Sequence, residues 1–395
     1  MNTDSIVIVA ARRTPLGGFQ GSLSPVAAPD LSATATSAAL TDCGLDPAAV
    51  DEVLLGCVLP AGLGQAPARQ AALAAGIPTG VPCTTINKVC GSGMKTTMLG
   101  YDLIRAGSAS IVVAGGMESM SNAPYLMPKA RSGYRMGHQE VLDHMFFDGL
   151  QNPYDGNMMG FFAEATADKY SFSREEQDEF AIASVTRAKE ATAAGTFDAE
   201  IAPVTVKSRK GETTVSEDDG PGNVNIEKIA TLRPAFRKDG TVTAASSSSI
   251  SDGAATLILM SAAEADRRDI EPLATIIGHS SFAQEPAWFT TSPVYAINAL
   301  HERLGWDTES VDLYEVNEAF ACVTMAAMRD VGIPHDKINV NGGACALGHP
   351  IGASGARIVV TLLNALRQRD GGRGIASLCI GGGEAVAIGI ETIGK

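Results

Sequence analysis

The sequence predicts an α/β fold built from two similar halves, with a long segment inserted into the first half. Residues 50–55 are echoed by residues 311–316, and residues 92–118 are echoed by residues 354–384, at offsets of 261 and 262 residues. Two independent echoes at nearly the same offset indicate that the halves share one architecture. Short, nearly continuous apolar runs alternate with helical patterns, which is typical of sheets that are covered by helices on both faces.

Each half is predicted to run strand, helix, strand, helix, strand. Helices are expected to begin at Ser92 and at Ser354, where a hydroxyl side chain can cap free backbone N–H groups. The alternation predicts helices between layers of mostly parallel sheet. The β-branched runs that we assign to strands are residues 6–9, 53–55, 111–114, 273–277, 313–316 and 375–379.

The inserted segment differs in composition from both halves. It is rich in proline and glycine, and Ser173 with Glu176 has the spacing of a capping box for a helix that ends near Ala194. Long insertions in compact domains are usually functional or interfacial. The predicted domains are a first half at residues 1–118 that resumes at 244–270, an inserted loop domain at 119–243, and a second half at 271–395.

The composition excludes several classes of protein. The chain has 395 residues, of which 45% are hydrophobic and 19% are charged, and its formal net charge is −14. Such a chain forms a core, so it is not a disordered protein, a collagen-like protein or a coiled coil. The acidic charge disfavours nucleic acid and anionic membrane surfaces as partners.

The cysteine pattern and the chain start are both typical of a cytoplasmic protein. Seven cysteines without a CxxC spacing suggest neither a disulfide framework nor a zinc site. The first residues carry an acid and no base ahead of a short apolar run, and no apolar stretch is long enough to span a membrane. We therefore expect a cytoplasmic location and no metal.

Cys90 is the first candidate for chemistry. It lies between a strand-like run at residues 84–86 and the helix predicted from Ser92, and Gly91 and Gly93 follow it closely. At such a turn, free N–H groups and the helix dipole can stabilise a thiolate. The alternative is a small buried hydrophobic residue, which is the usual role of a cysteine.

His349 is the second candidate. It lies in a glycine-rich loop, residues 342–355, just before the second of the echoed helices. An imidazole at such a place suits proton transfer near neutral pH. The alternative is a loop histidine that makes a structural hydrogen bond.

Two further candidates follow predicted strands of the second half. Cys379 ends an apolar strand ahead of the glycines at residues 381–383, whose N–H groups could bind an oxyanion; otherwise it is a core cysteine. Asn317 could hold a water or a carbonyl oxygen, or it could cap a helix. Its neighbour Glu318 could orient another side chain.

The inserted segment also carries basic residues in an otherwise acidic chain. They could meet the phosphates of a ligand or form a solvated face, and their spacing does not decide between the two. They are Lys207, Arg209, Lys210, Lys228, Arg233 and Arg237.

Four ordered motifs, each several residues long, resemble those of the thiolase family. They are residues 87–95, 317–321, 342–355 and 379–383, and the resemblance extends essentially from end to end. It implies two thiolase half-domains in a five-layer α-β-α-β-α arrangement with an inserted loop domain. It also implies a homotetramer that is assembled from dimers.

The resemblance implies a role for each of five residues. Cys90 would accept the acyl group as a thioester after His349 takes its proton. Cys379 would remove a proton from the α-carbon of a second substrate, and His349 with a water held by Asn317 would stabilise the enolate. The backbone N–H groups of Cys90 and Gly381 would hold the tetrahedral oxyanion.

The resemblance further implies that the substrates are acyl-coenzyme A thioesters and that neither a metal nor a redox cofactor takes part. Ser248 matches the serine that contacts the pantetheine arm. The residues that match positions lining the acyl and pantetheine region are Phe236, Phe320, Met159 and Leu150.

The motif at residues 89–95 is most similar to that of thiolases that condense two acetyl-coenzyme A molecules into acetoacetyl-coenzyme A, or catalyse the reverse thiolysis. A degradative 3-ketoacyl-coenzyme A thiolase for longer chains is the alternative. The serine run at residues 246–249 resembles such enzymes, Met158 replaces a histidine frequent in acetyl-specific members, and Gly222 replaces an arginine that often stacks on adenine. A ketoacyl synthase is disfavoured because one histidine, not two, occupies a motif.

Overall fold

The computed structural model describes residues 5–209 and 211–394 of the chain. The first half alternates strands and helices as the sequence predicted. Its elements up to the insertion are β1 (Ile6–Arg13), β2 (Gly17–Gly18), α1 (Ala28–Asp42), β3 (Glu52–Gly56), α2 (Pro67–Ala74), β4 (Cys83–Ile86), α3 (Ser92–Arg105) and β5 (Ile111–Ser119).

The inserted segment contains its own helices and two small hairpins. The capping box is present: the Ser173 hydroxyl accepts from the Glu176 N–H at 3.1 Å, and the Glu176 carboxylate accepts from the Ser173 N–H at 2.7 Å. The segment consists of β6 (Tyr125–Leu126), β7 (Leu142–Asp143), α4 (Met159–Tyr170), α5 (Arg174–Ala193), β8 (Val204–Ser208), β9 (Gly211–Val215) and α6 (Asp219–Asn223).

The chain then returns to the first half and enters the second. The return is made by β10 (Ser251–Ser261) and α7 (Ala262–Arg268). The second half consists of β11 (Ala274–Ala283), α8 (Ser292–Leu304), β12 (Leu313–Val316), α9 (Ala321–Ala327), α10 (Ala344–Leu347), α11 (Ile351–Gln368), β13 (Arg373–Ile380) and β14 (Glu384–Thr392).

The strands of both halves join into one sheet because β1 pairs with β10 on one side and with β11 on the other. The strand order is β12-β13-β14-β11-β1-β10-β5-β3-β4, and β2 pairs with β10. The expectation of a mostly parallel sheet was wrong: β3 with β4, β3 with β5 and β12 with β13 are the parallel pairs, and the others are antiparallel. β13 and β14 are joined by a tight turn, which permits only antiparallel pairing, and β10 and β14 were not foreseen as strands.

The helices and the sheet form five layers, which confirms the predicted fold class. α1 and α2 cover the outer face of the first half of the sheet, and α8 covers the outer face of the second half. α3 and α11 pack against each other between the two halves. α11 is buried along almost its whole length, because it packs between the two halves of the sheet. In the described part of the chain, no helix is long and apolar enough to cross a bilayer.

Glycines explain why the Ser-Gly pair occurs in both halves. A Cβ atom on Gly355 would lie 2.4 Å from the backbone nitrogen of Met94, and one on Gly93 would lie 2.8 Å from that of Ala356. The backbones of α3 and α11 therefore touch at this crossing, which only glycine allows. The contact places the start of α3, after Cys90, beside the start of α11, after His349.

The echoed serines do not cap their helices as the sequence suggested. α3 does begin at Ser92, but the hydroxyl accepts from the Lys88 N–H at 2.8 Å and donates to the Val89 carbonyl at 2.7 Å. α11 begins at Ile351, so Ser354 lies in its first turn. Both hydroxyls bind the turn that precedes the helix.

Candidate active site

Cys90 lies at the turn between β4 and α3, and the backbone of this turn is strained. Val89 has a φ of +44°, in the left-handed region that β-branched residues rarely adopt. Asn87 Oδ1 accepts from the Val89 N–H at 2.9 Å, and the Val89 carbonyl accepts from the Ser92 N–H at 3.0 Å. These bonds fix the peptide that carries Cys90 at the N-terminal end of α3.

Ser354 determines which nitrogen of His349 carries the proton. The Ser354 hydroxyl lies 2.6 Å from His349 Nδ1 and 2.9 Å from the Pro350 carbonyl oxygen. A hydroxyl has one proton and a carbonyl oxygen can only accept, so the hydroxyl accepts from the Nδ1–H. Nε2 then carries a lone pair, and this buried atom has no hydrogen-bond partner in the described part of the chain. His349 is therefore arranged as a base.

Cys379 and Gly381 lie at the turn that joins β13 to β14. Cys379 is fully buried near the end of β13, and the turn needs glycine because Gly382 and Gly383 both have a φ of +96°. The Gly383 carbonyl accepts from the Gln284 N–H at 2.8 Å, which anchors the turn. The N–H of Gly381 lies close enough to the thiol of Cys90 to lower the pKa of that thiol, so the two predicted oxyanion donors are neighbours.

Asn317 follows β12, and its polar side chain is buried. Its N–H donates to the Ser377 carbonyl at 3.0 Å, while Oδ1 and Nδ2 have no hydrogen-bond partner among residues 5–209 and 211–394. Buried polar atoms of this kind normally contact ordered water or a ligand, which fits the predicted role. The alternative of a helix cap was wrong, because α9 begins at Ala321 with Phe320 at its N-cap.

Glu318 orients the loop that precedes His349, as the sequence suggested. Its buried carboxylate accepts from the Ser184 hydroxyl at 2.7 Å, the Asn339 amide at 2.8 Å and the Cys345 N–H at 3.0 Å. These bonds tie the loop of the second half to α5 of the inserted segment.

Most of the predicted site residues line a small inner cavity of about 50 Å³. A water needs roughly 10–15 Å³ of such space, so this volume holds a group of a few heavy atoms. Asn317 is not among the lining residues, although Ala319 and Phe320 of the same segment are. The predicted residues that line the cavity are Cys90, His349, Cys379, Gly381, Ser248, Met159, Leu150 and Phe320, and the sequence argument missed Gly149, Phe289, Ala319 and Ile351.

A larger, mainly apolar cavity of about 210 Å³ shares several of these walls. Phe236 and Met158 line this outer space but not the inner one. Phe236 packs edge-to-face on Phe320 with ring centroids 5.9 Å apart. The two cavities together form an apolar approach to the thiols.

Burial controls the protonation of both thiols. It raises the pKa of Cys90 to about 11, although the N–H groups of Gly381 and of Cys90 itself lower that pKa. Burial, with the nearby Cys90, also raises the pKa of Cys379 well above its ordinary value. Burial therefore outweighs the stabilisation that we expected the helix N-terminus to give a thiolate. Both thiols are protonated near pH 7.

Burial acts in the opposite direction on the imidazole. It lowers the pKa of His349 to about 3, and the positive charge of Arg357 lowers it further. The free site thus holds a neutral base beside two neutral thiols. Proton transfer from a thiol must accompany its reaction, because no stable ion pair exists beforehand.

Comparison with known families decides the classification. Residues 6–263 match the thiolase N-terminal domain, and residues 270–392 match the thiolase C-terminal domain. The chain belongs to the thiolase family. Among solved structures, this thiolase is similar to the Bacillus anthracis acetyl-CoA acetyltransferase, with a TM-score of 0.96 and 42% identity over 98% of this chain and 99% of that chain.

Curated relatives are similar along their whole length. An acetyl-CoA acetyltransferase of Pseudomonas aeruginosa is 51% identical over 385 residues, which cover 97% of this chain and 98% of the relative. An acetyl-CoA acetyltransferase of Cupriavidus necator is 48% identical over 388 residues, which cover 98% of this chain and 99% of the relative.

The serine run is built into the site of this thiolase. The hydroxyl of Ser247 donates to the Thr243 carbonyl at 2.7 Å, so it serves the loop itself. The Ser248 N–H donates to the Ala319 carbonyl at 3.0 Å, and the Ser249 carbonyl accepts from the His349 N–H at 3.0 Å. The backbone of the run is therefore hydrogen-bonded to two parts of the cavity wall, at Ala319 and at His349.

Glu118 is a second group that the sequence argument missed. Its buried carboxylate accepts from the N–H groups of Val58 at 3.0 Å, Leu59 at 3.1 Å and Gly352 at 2.9 Å, and burial raises its pKa to about 7. It thereby ties the loop after β3 to the first turn of α11, the helix that follows His349. Its place after the echoed glycine pair was a signal that could have identified it.

The basic residues of the inserted segment do not line either cavity within the described residues. Lys207 pairs with Glu212 at 3.5 Å, and Arg237 pairs with Asp168 at 2.6 Å. Lys210 lies outside the described residues. The remaining members, Arg209, Lys228 and Arg233, are exposed.

Proposed function

We propose that this thiolase is an acetyl-CoA C-acetyltransferase that condenses two acetyl-CoA molecules into acetoacetyl-CoA and coenzyme A, and catalyses the reverse thiolysis. The observation that carries the proposal is the inner cavity of about 50 Å³, which brings Cys90, Cys379 and His349 together. Relatives with 48% and 51% identity that are named acetyl-CoA acetyltransferase support it.

In the first half-reaction, His349 Nε2 takes the proton of the Cys90 thiol as the sulfur attacks the carbonyl carbon of acetyl-CoA. The N–H groups of Cys90 and Gly381 donate to the oxyanion of the tetrahedral intermediate. The carbon–sulfur bond to coenzyme A then breaks, and the leaving thiolate takes the proton from His349. The products are acetyl-Cys90 and coenzyme A.

In the second half-reaction, His349 takes the proton of Cys379, and the Cys379 thiolate removes an α-proton from a second acetyl-CoA. The protonated His349 and a water held by Asn317 donate to the enolate oxygen. The enolate carbon attacks the acetyl carbonyl, the bond to the Cys90 sulfur breaks, and His349 returns its proton to Cys90. Acetoacetyl-CoA leaves, and every group regains its starting protonation.

The hydroxyl of Ser354 is expected to matter for the first half-reaction. Ser354→Ala removes the acceptor of the Nδ1–H, so the imidazole loses the bond that keeps Nε2 as the base. We expect the single-turnover acetylation rate to fall about ten- to hundredfold, as for other groups that orient a catalytic side chain, with the KM for acetyl-CoA little changed. Intact-mass spectrometry of samples quenched at successive times gives the acetylation rate. An unchanged rate contradicts this role, and so does a slower rate that is accompanied by a lower melting temperature.

The test of the proposed function is intact-mass spectrometry after mixing with acetyl-CoA, followed by a chain-length profile of thiolysis. We expect one acetyl group on the peptide that contains Cys90. We also expect kcat/KM for acetoacetyl-CoA to exceed that for 3-ketohexanoyl-CoA by at least about tenfold, because the inner cavity of about 50 Å³, lined by Phe289 and Phe320, has room for only a few heavy atoms. Equal values for both substrates would favour the longer-chain alternative, which the names of the relatives do not favour.

We propose that the reaction needs neither a metal nor a redox cofactor, because each step moves protons and an acyl group without electron transfer. We therefore expect the enzyme to stay active after EDTA has removed free and weakly bound metal ions. The cytoplasmic location stays a prediction.

We also propose a homotetramer. The resemblance implies one, and two structural features support it: β4 ends the sheet without a further strand in the described part of the chain, and Tyr125, Met127 and Met136 of the inserted segment are exposed apolar side chains. Sedimentation equilibrium measures the assembly mass.

A further inference from the structure

An ion pair joins the two turns that carry the oxyanion donors. The ammonium of Lys88 contacts the carboxylate of Glu384 across a separation of 296 residues in sequence. The side chains are 23% and 37% exposed, so the pair is partly shielded from solvent. It connects the first half of the molecule to the second.

Each partner is held firmly to its own turn. The Lys88 carbonyl accepts from the Gly91 N–H at 3.0 Å, which encloses Cys90 in the same turn. Glu384 pairs with Ile380 across the β13–β14 turn, so Gly381 lies between them. The two turns touch, since a Cβ atom on Gly91 would lie 2.4 Å from the Ile380 side chain.

The arrangement has a counterpart on the other side of the site. Glu118 follows the glycine pair of the first half and binds the first turn of α11 in the second half. Glu384 follows the corresponding glycines of the second half and binds the turn before α3 in the first half. The echoed glutamates therefore each hold the opposite half of the molecule.

We propose that Lys88 and Glu384 are a positioning pair that sets the separation between the backbone N–H groups of Cys90 and Gly381. The inference rests on the proposed function, because the anion that these groups hold is the intermediate of acyl transfer. The two donors belong to different halves and are more than 290 residues apart in sequence. The covalent chain therefore does not fix the distance between them. Donors must be preorganised closely to stabilise an oxyanion, so a weak tie can affect the rate strongly.

The experiment uses the full-length protein with Lys88→Met, Glu384→Gln and the double variant. Arg373→Met is the matched control, because Arg373 pairs with Glu391 at 3.1 Å at the other end of the same hairpin and is similarly exposed. We expect each single variant to slow single-turnover acetylation about ten- to hundredfold, and the double variant to be no slower than either. The control should be unaffected, and all melting temperatures should agree.

A second readout does not depend on acetyl-CoA. The pH dependence of iodoacetamide alkylation, followed on the Cys90 peptide by mass spectrometry, reports the pKa of that thiol. Because the Gly381 N–H stabilises the thiolate, loosening the turns raises the pKa of Cys90 in both single variants. A charge effect through space would instead raise the pKa in Lys88→Met and lower it in Glu384→Gln.

The outcomes separate this inference from the proposed function. Opposite pKa changes, additive losses, or rates equal to the control overturn the positioning pair. A wild-type protein that never becomes acetylated overturns the proposed function, while the alkylation profiles still decide whether the pair positions Gly381. Parallel pKa increases with non-additive losses support the inference.

Discussion

Cys90→Ser is expected to lose acetyl-enzyme formation by roughly 10³-fold or more, the scale seen when a nucleophile is removed from an enzyme. A serine hydroxyl ionises far less readily than a thiol, and burial already raises the pKa of the thiol at this site to about 11. Transfer of the hydroxyl proton to the neutral, buried His349 is therefore more costly than transfer of the thiol proton. Intact-mass spectrometry after mixing with acetyl-CoA measures the acetylated fraction directly.

Cys83→Ser is the matched control for this variant. Cys83 is a half-buried cysteine on β4, seven residues before Cys90, and its thiol donates to the Val81 carbonyl at 3.5 Å. It lines neither cavity in the described part of the chain, so this variant should be acetylated at the wild-type rate. Undiminished acetylation of Cys90→Ser would refute the assignment of the nucleophile.

Cys379→Ala is expected to separate the two half-reactions. Acetylation of Cys90 should stay within about threefold of wild type, because the first half-reaction uses His349 and the backbone N–H groups. Condensation and thiolysis should fall by roughly 10³-fold, in the range for loss of a general base. The acetyl-enzyme should therefore accumulate, and exchange of the acetyl-CoA α-protons with deuterated solvent should stop.

Cys322→Ala provides the control for removing a buried sulfur. Cys322 is also fully buried and packs in the same apolar cluster, but its thiol donates to the Ala163 carbonyl at 3.6 Å. This variant should keep both half-reactions. A Cys379→Ala protein that loses acetylation and condensation equally, with a lowered melting temperature like that of the control, would indicate a structural role for Cys379.

Many residues that line the inner cavity were predictable because the motifs that contain them are local sequence patterns. A cysteine between a strand and a helix, a histidine in a glycine-rich loop, and a cysteine at a strand end are visible in the sequence. The structure brings Cys90, His349 and Cys379 to one cavity, as the motifs implied. Phe289 was missed because nothing in its own neighbourhood distinguishes a cavity wall from ordinary core packing.

Fold prediction failed where pairing depends on distant segments. β10 follows the inserted segment and pairs with β1 and β5, so its direction is set by where the insertion returns the chain. The hydroxyls of Ser92 and Ser354 suit helix caps locally, but bonds across the preceding turns take precedence.

The sequence by itself determined the α/β class, the repeated halves, the capping box at Ser173 and the residue types of the site. These follow from hydrophobic periodicity and from side-chain chemistry, which are properties of short segments. The tertiary structure alone decided the contact of α3 with α11 at Gly93 and Gly355, the tautomer of His349 and the direction of each pKa shift. These depend on burial and on how the folded chain places side chains and backbones against each other, and short segments carry no record of either.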